Sequence, residues 1–207
     1  MTTFKEIRGQ LIRSVSTDPA NPQVGEIWYN NTIGVLKARN FTAAVWASGG
    51  NMNEGRRAMG SATSGTQTAA LVFGGTPPPP GSVNSEEYNG STWAEGNNLN
   101  TGRGEVGSAG SSNTSSLAFG GQTPAITAAT EEWNTGVAVG AWSTGGDLNT
   151  ARNGLGGAGT QTAALGFGGD SGAFSVLTES YDGTTWTEVN DLNTARRDMG
   201  SGGTQTS

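Results

Sequence analysis

The sequence predicts an all-β fold built from internal repeats. Tryptophan recurs about every 47 residues, and an arginine stands ten residues after each of these tryptophans. Between these Trp–Arg motifs lies a second repeated feature, an apolar run that ends in Phe-Gly-Gly. Helix-forming residues are scarce while Gly, Ser and Thr are frequent, which favours strands joined by turns. Self-similarity at this period is typical of units that are stabilised by stacking on their neighbours.

Three sets of landmark residues occupy fixed positions in successive repeats. We expect them to be structural, because a residue fixed to the phase of a repeat usually serves the repeat. The landmarks are Trp46, Trp93, Trp142 and Trp186; Arg56, Arg103, Arg152 and Arg196; and Gly74, Gly75, Gly120, Gly121, Gly168 and Gly169.

Residues 1–40 do not match the repeat, so we divide the chain into an N-terminal β segment (1–40) and a repeat domain (41–207). Residues 11–16 predict a strand, and the two prolines within residues 18–22 predict a turn. Residues 25–37 predict a hairpin, with an aromatic strand, a polar turn and a second strand. Trp28 and Tyr29 on this hairpin are candidate attachment residues that could stack on a sugar ring. The alternative is that they pack in a core or an interface.

Each repeat begins with a stretch of small residues and continues into a short apolar strand, as at residues 162–167. Small residues at one parity and bulky residues at the other suit a strand that is covered on both faces by closely spaced sheets. The glycine pair that follows this strand indicates positive φ, or an approach of the backbone too close for a Cβ atom.

A hairpin ends each repeat. Asn89-Gly90 and Asp182-Gly183 each separate two aromatic-bearing strands, and this dipeptide predicts a type I′ turn with positive φ at both central residues. In the middle copy Trp133 replaces the tyrosine, and residues 134–141 lengthen the turn. Four short strands per repeat correspond to one blade of a β-propeller.

These residues resemble the kelch repeat over residues 41–207. The shared features are an arginine after a Leu-Asn-Thr-Ala phrase, a strand that ends in Gly-Gly, and a tyrosine and a tryptophan in the last two strands. The resemblance implies four-stranded blades around a central channel, with Trp93, Trp142 and Trp186 packed between blades. The spacing of five residues from tyrosine to tryptophan is shorter than is usual in that family.

The repeats predict about three complete blades and two partial ones. Residues 41–46 correspond to a last strand, and residues 197–207 correspond to a first strand. The phrase Gly-Thr-Gln-Thr runs on into a strand after residue 159 and recurs at residues 203–206. We therefore expect the repeat domain to be incomplete at its C-terminus.

Composition excludes several classes of function. The chain carries a net charge of −6 and no basic cluster, which argues against nucleic-acid binding through phosphate neutralisation. Cysteine and histidine are both absent, which removes thiolate and imidazole metal ligands, cysteine nucleophiles and histidine bases. No apolar run has the length of a signal-peptide core or of a membrane span. We expect no cofactor and no membrane insertion.

Two sets of charged residues are candidate sites. The four landmark arginines could form a guanidinium ring for an acidic glycan; alternatively each bonds a turn carbonyl or an acid of a neighbouring blade. Glu86-Glu87 and Glu131-Glu132 could suggest a glycosidase carboxylate pair. Neighbours on a strand point to opposite faces, so we expect one member of each pair to be solvated on an outer strand. We predict that the protein is not an enzyme.

The four-proline run of residues 77–80 has two interpretations. It could dock an aromatic groove in polyproline II conformation, or it could form a rigid surface loop. It lies where the inter-strand loop differs between repeats, and such loops are where propellers carry recognition.

Residues 25–37 resemble a hairpin found near the N-terminus of bacteriophage tail and fibre proteins, with the pattern Gly-x-Ile-Trp-Tyr-Asn followed by Gly-x-Leu-Lys. The resemblance implies a structural protein of the virion, in the tail or elsewhere on the exterior of the particle. It implies attachment through residues 1–40 to other virion proteins and to copies of the same chain. The repeats would then display a surface for a host glycan or protein. The alternative is a non-viral kelch-type scaffold that binds a protein partner.

Overall fold

The protein is all-β, as the sequence predicts. The computed structural model describes residues 12–23, 25–39, 46–79, 81–135 and 140–204. Over these residues fifteen strands form four separate sheets, without a helix and without a closed barrel. The chain divides into two compact units, residues 1–48 and residues 49–207.

The N-terminal unit contains a small three-stranded sheet. Its strands are β1 (Arg13–Val15), β2 (Ile27–Asn30) and β3 (Val35–Ala38). β2 and β3 form the predicted hairpin, and β1 lies parallel to β2. Asp18 holds one face together, because its carboxylate accepts hydrogen bonds from Asn30 Nδ2 (2.9 Å), Lys37 Nζ (2.5 Å) and Trp28 Nε1 (3.0 Å). These bonds hold the pKa of Asp18 well below its usual range.

Each complete repeat forms one antiparallel sheet whose four strands follow each other in sequence order. Sheet I contains β4 (Gly60–Ser61), β5 (Ala70–Phe73), β6 (Ser85–Tyr88) and β7 (Trp93–Glu95). Sheet II contains β8 (Gly107–Ser112), β9 (Ser115–Phe119), β10 (Thr130–Asn134) and β11 (Ala141–Thr144). Sheet III contains β12 (Gly156–Thr160), β13 (Ala163–Phe167), β14 (Thr178–Tyr181) and β15 (Trp186–Glu188).

Consecutive sheets pack against each other closely. A Cβ atom on Gly157 would lie 2.0 Å from the carbonyl oxygen of Ser108, and one on Gly166 would lie 2.9 Å from the ring of Phe119. In sheets I and II the bulky residues of the second strand, Leu71, Phe73, Leu117 and Phe119, are fully buried. The alternation of small and bulky residues therefore does what the sequence predicts for a strand covered on both faces.

Two of the landmark tryptophans lie between consecutive sheets. Trp142 packs edge-on against Phe73 of the preceding sheet, with ring centroids 4.7 Å apart, and Trp186 packs against Phe119 at 4.8 Å. Trp93 instead lies on Tyr88 of its own sheet and is half-buried. Trp46 is fully exposed and belongs to no strand, so it does not share the packing of the others. Residues 41–45, predicted as the rest of that strand, lie outside the described residues.

The landmark glycine pairs all have positive φ and are closely approached. Gly120 (φ 62°) and Gly121 (φ 99°) represent the set. A Cβ atom on Gly120 would lie 2.4 Å from the carbonyl oxygen of Arg152, and one on Gly121 would lie 2.8 Å from that of Gly104. These glycines therefore combine the two features that the sequence indicates as alternatives, a positive φ and a neighbouring group too close for a Cβ atom.

The hairpin turns are not type I′. Only the glycine of each turn, Gly90 (φ 96°) or Gly183 (φ 93°), has positive φ, whereas type I′ requires it at both central residues. The loop between the strands is longer, and the side chain of its first residue organises it. Asp182 Oδ1 accepts hydrogen bonds from the backbone N–H groups of Thr184 and Thr185, both at 2.8 Å. Asn89 does the same in sheet I.

A backbone ladder joins the starts of successive repeats. One residue per repeat adopts the left-handed conformation: Ala58 (φ 51°), Glu105 (53°), Gly154 (59°) and Asp198 (54°). The N–H groups of the last three each donate to the carbonyl oxygen of their counterpart in the preceding repeat, at 2.8 to 2.9 Å. Consecutive repeats are therefore aligned through main-chain atoms.

Candidate functional site

Three of the four landmark arginines form buried ion pairs, which we call the arginine locks. Arg56 pairs with Glu86, Arg103 with Glu131, and Arg152 with Glu179. The Nη2–Oε1 distance is 2.5 Å in the first lock and 2.7 Å in the third. No side chain in the three pairs is more than 4% exposed.

The third lock shows how the charges are satisfied. Arg152 Nη1 donates to the carbonyl oxygens of Gly168 and Leu177, both at 2.7 Å. The backbone N–H of Asn149 donates to the second carboxylate oxygen of Glu179 at 2.7 Å. Burial lowers the pKa of the Arg152 guanidinium despite the neighbouring carboxylate of Glu179. Asn53 and Asn100 donate in the same way to Glu86 and Glu131.

The second and third locks also join their sheets to the preceding ones. The carbonyl oxygen of Arg152 accepts a hydrogen bond of 2.8 Å from the N–H of Gly121, and that of Arg103 accepts one of 2.9 Å from Gly75. The side chain binds the following sheet and the backbone binds the preceding sheet. Of the two alternatives for the landmark arginines, the guanidinium ring for an acidic glycan does not hold for Arg56, Arg103 and Arg152, because their charges are paired inside the fold.

The adjacent glutamates also have a structural role. Glu86 and Glu131 are the buried acids of the locks, and the alternate face carries their neighbours. Those neighbours are half-buried and contact the following sheet: Glu87 accepts from Asn113 Nδ2 at 2.9 Å, and Glu132 accepts from the Tyr181 hydroxyl at 2.6 Å. The expectation that one member is solvated on an outer strand is wrong, since the strand is the third of four and both carboxylates have partners.

Three loops connect the second and third strands of the sheets; they differ in sequence between repeats, and each carries exposed residues. We call them the long loops: residues 74–84, 120–129 and 168–177. Each is anchored by a pair of backbone hydrogen bonds to the start of its own repeat, as between Gln122 and Gly104 (2.8 and 3.0 Å). They therefore project from the same end of their respective sheets.

The long loops carry exposed apolar groups next to charged ones. Phe174 is 60% exposed, and the Arg197 guanidinium lies 5.6 Å from its ring centroid. Arg197 also pairs with Asp170 at 3.2 Å. In the first long loop, Pro77 and Pro79 are exposed and line a cleft of about 450 Å³ with Arg57. An aromatic platform beside cationic and carboxylate groups can bind a sugar or a peptide.

Phe174, Asp170 and Arg197 are not among the candidate residues predicted from the sequence. Their positions are specific to one loop, so repetition does not mark them. One feature of the sequence could have marked Phe174: it does not hold the repeat position that Phe73, Phe119 and Phe167 share.

A second exposed surface lies on the N-terminal sheet. One face presents Ile12 (54% exposed), Ile27 (48%), Tyr29 (40%) and Leu36 (58%). Of the two candidate attachment residues, only Tyr29 lies on this face. Trp28 is 6% exposed and packs on the opposite side, where its indole donates to Asp18. We call the exposed set the apolar face of the N-terminal sheet.

Among the described residues, no three Asp or Glu side chains cluster in a way that could hold a metal ion. The part of the chain that the structure describes holds no helix of the length and apolarity needed to cross a membrane. The chain matches no protein-family model, and no curated protein matches it significantly.

Proposed function

We propose that this protein is a non-enzymatic binding protein of a bacteriophage virion, a tail or fibre component whose kelch-like blades display the long loops to a host surface. The observation that carries the proposal is the division of labour within each repeat. Most of the landmark residues are buried by packing within and between the sheets, while the long loops differ in sequence from repeat to repeat and each carries exposed residues.

The blade interpretation is supported by three meanders of four antiparallel strands, each packed on the next through equivalent residues. The left-handed ladder is the kind of inner contact that radial repetition requires, because equivalent backbone atoms meet in successive units. In this proposal the three sheets are three blades of a β-propeller, or of part of one.

The long loops supply the recognition surface. Phe174 gives a flat apolar platform, and the Arg197–Asp170 pair gives directional hydrogen bonding at its edge. Such a combination suits a glycan, whose ring faces are apolar and whose rim is hydroxylated. It also suits a protein loop, so the ligand class of the proposal is a host-surface glycan or protein.

The N-terminal unit supplies attachment. Its apolar face lacks charged side chains at its centre, and the only buried large apolar side chain among its described residues is Trp28. A sheet this small is marginal in water unless its exposed face is covered. We propose that other virion proteins or copies of the same chain cover it.

The test of this proposal measures binding of the fluorescently labelled protein to glycan arrays and to a panel of bacterial cells. Phe174→Ser is compared with Val189→Ser, which removes an apolar side chain that is 41% exposed and outside the long loops. We expect Phe174→Ser to abolish binding and Val189→Ser to leave it unchanged. Equal effects of the two substitutions, or no binding to any bacterial surface, contradict the proposal.

The non-viral kelch scaffold is favoured by one feature, the cleft beside Pro77 and Arg57, which has room for a peptide side chain. Native mass spectrometry separates the two functions. A symmetric oligomer that Leu36→Asp dissociates supports attachment through the apolar face. A monomer at all concentrations that binds peptides in the cleft beside Pro77 and Arg57 supports the scaffold.

A further inference from the structure

The loop between β6 and β7 polarises the side-chain amide of an exposed asparagine. Asn89 begins this loop, and both Asn89 and Gly90 are exposed. The Oδ1 atom of Asn89 accepts hydrogen bonds from the backbone N–H groups of Ser91 and Thr92, both at 2.9 Å. The two donors draw electron density away from Cγ, and they stabilise any negative charge that develops on Oδ1. Paired backbone N–H groups at this distance act in the same way in the oxyanion holes of acyl-transfer enzymes.

The residue that follows Asn89 supplies a nucleophile. The backbone N–H of Gly90 makes no hydrogen bond among the described residues. Because glycine has no Cβ atom, its nitrogen is unshielded, and the main chain at Gly90 (φ 96°) is free to turn toward the neighbouring side chain. An accessible nitrogen therefore lies next in sequence to a polarised amide carbon.

We propose that Asn89 is a site of spontaneous deamidation, in which the backbone nitrogen of Gly90 attacks Cγ of the Asn89 side chain. A bond forms between this nitrogen and Cγ, the bond from Cγ to Nδ2 breaks, and the proton of the Gly90 N–H passes through solvent to the departing nitrogen, which leaves as ammonia. Water then opens the cyclic imide at one of its two carbonyl groups. The product is aspartate or isoaspartate at position 89, and water is the only co-reactant.

Sheet III shows that the aspartate product fits the loop. Asp182 holds the equivalent position, and its Oδ1 accepts hydrogen bonds from the N–H groups of Thr184 and Thr185 at 2.8 Å. Aspartate at position 89 can therefore keep the bonds that asparagine makes and adds one negative charge to the surface. Isoaspartate instead lengthens the main chain between β6 and β7 by one carbon atom.

The second Asn-Gly pair of the chain is an internal control, because the fold protects it. Asn153 is 6% exposed, and Gly154 is buried as well. The N–H of Gly154 donates to the carbonyl oxygen of Glu105 at 2.9 Å, so the nucleophile is already engaged. We expect Asn153 to react only after this part of the structure opens.

The Asp-Gly pair in sheet III separates the effect of loop shape from the effect of the amide. Cyclisation of an aspartate releases water and requires the protonated carboxyl group. The hydrogen bonds from the N–H groups of Thr185 and Thr184 hold the pKa of Asp182 below its ordinary value, so this group is ionised at neutral pH. We expect no imide at Asp182 although its loop resembles that of Asn89. Deamidation involves neither the long loops nor a ligand, so it is independent of the proposed function.

The test follows both asparagines in the full chain, in native buffer and in urea, at mildly alkaline pH. Incubation in water that carries a heavy isotope of oxygen labels only the acid formed during the experiment, and peptide mass spectrometry reads each site. In urea we expect similar rates at Asn89 and Asn153, because both precede glycine. In native buffer we expect Asn89 to react at least as fast as in urea. We expect Asn153 to react more slowly by roughly tenfold or more, because it requires local opening.

Asn89→Asp is the matched variant, since it removes the amide and keeps the loop as Asp182 has it. We expect this variant to form ammonia no faster than the chain does from its other sites, and to melt within about 2 °C of the native chain, the usual result for an exposed position. Three results overturn the proposal: slower conversion of Asn89 in native buffer than in urea, equal conversion of Asn89 and Asn153 in native buffer, and a larger fall in melting temperature for Asn89→Asp.

Discussion

Replacing Arg152 by methionine tests the arginine locks most directly, because the chain provides its own control. Arg152 and Arg196 hold equivalent positions in the repeat, and methionine keeps the aliphatic length of either side chain while removing its charge. Arg152 is fully buried, whereas Arg196 is exposed. The same chemical change is thus made once inside a lock and once outside.

The expected loss follows from the bonds that the substitution breaks. Arg152→Met leaves the carboxylate of Glu179 buried without its cation, and it leaves the carbonyl oxygens of Gly168 and Leu177 without their 2.7 Å donors. Removing one partner of a buried, hydrogen-bonded pair costs about 3–5 kcal/mol. For a chain of this size, that corresponds to a fall in melting temperature of about 6–20 °C. Arg196→Met breaks one hydrogen bond at an exposed site and should cost about 0.5 kcal/mol or less.

The assay is urea denaturation at pH 7, followed by tryptophan fluorescence and by circular dichroism. The double substitution Arg152→Met/Glu179→Gln is included, because glutamine removes the stranded charge and keeps an acceptor for the Asn149 N–H. We expect it to recover a large part of the loss. If Arg152→Met destabilises no more than Arg196→Met, or if the double variant is worse than the single one, the locks do not hold the sheets together as described.

Three further predictions concern other contacts. Trp186→Ala should cost about 3–5 kcal/mol of unfolding free energy, and Trp93→Ala clearly less, since Trp186 is 5% exposed and Trp93 is half-buried; equal losses in urea denaturation would contradict the packing described. Burial, together with its bond to Glu132, raises the pKa of Tyr181, so stability from the neutral hydroxyl is fully present below pH 10 and is lost as pH rises through the folded-state pKa. The stability advantage of the native chain over Tyr181→Phe should therefore shrink between pH 10 and the folded-state pKa, and urea midpoints measured from pH 7 upward check this. Asp18→Asn should speed amide exchange of residues 27–38 at neutral pH; because the pKa of Asp18 is lowered, the difference from the native chain should vanish only as pH falls through that lowered pKa.

Much of the repeat architecture could be predicted from local pattern. The alternation in residues 163–167, the Gly-Gly pairs and the spacing of Trp142 and Trp186 each encode a contact with the adjacent sheet, and that contact recurs with the period of the sequence. Patterns of this kind state which residues are equivalent. They also state which parity is buried.

The partners of the charged residues could not be predicted in the same way. Repetition marks Arg152 as structural but does not say which of the nearby acids it binds, because pairing depends on where a side chain emerges after the strands have packed. Glu179 lies 27 residues away, and nothing in the local sequence joins the two. The prediction of a type I′ hairpin turn was wrong for a related reason. The Asp182 carboxylate accepts hydrogen bonds from backbone N–H groups and so stabilises a different loop, which the Asp-Gly dipeptide alone does not reveal.

The left-handed ladder has a consequence for how this chain can change over time. Its four positions are occupied by alanine, glutamate, glycine and aspartate, four side chains with little in common. Because the joint uses only N–H and C=O groups, substitution at these positions costs the modest strain of a left-handed residue and leaves the alignment of neighbouring units intact. This part of the joint therefore places no demand on side-chain identity when units are duplicated, deleted or exchanged, in contrast to the tryptophan–phenylalanine contacts between the same sheets.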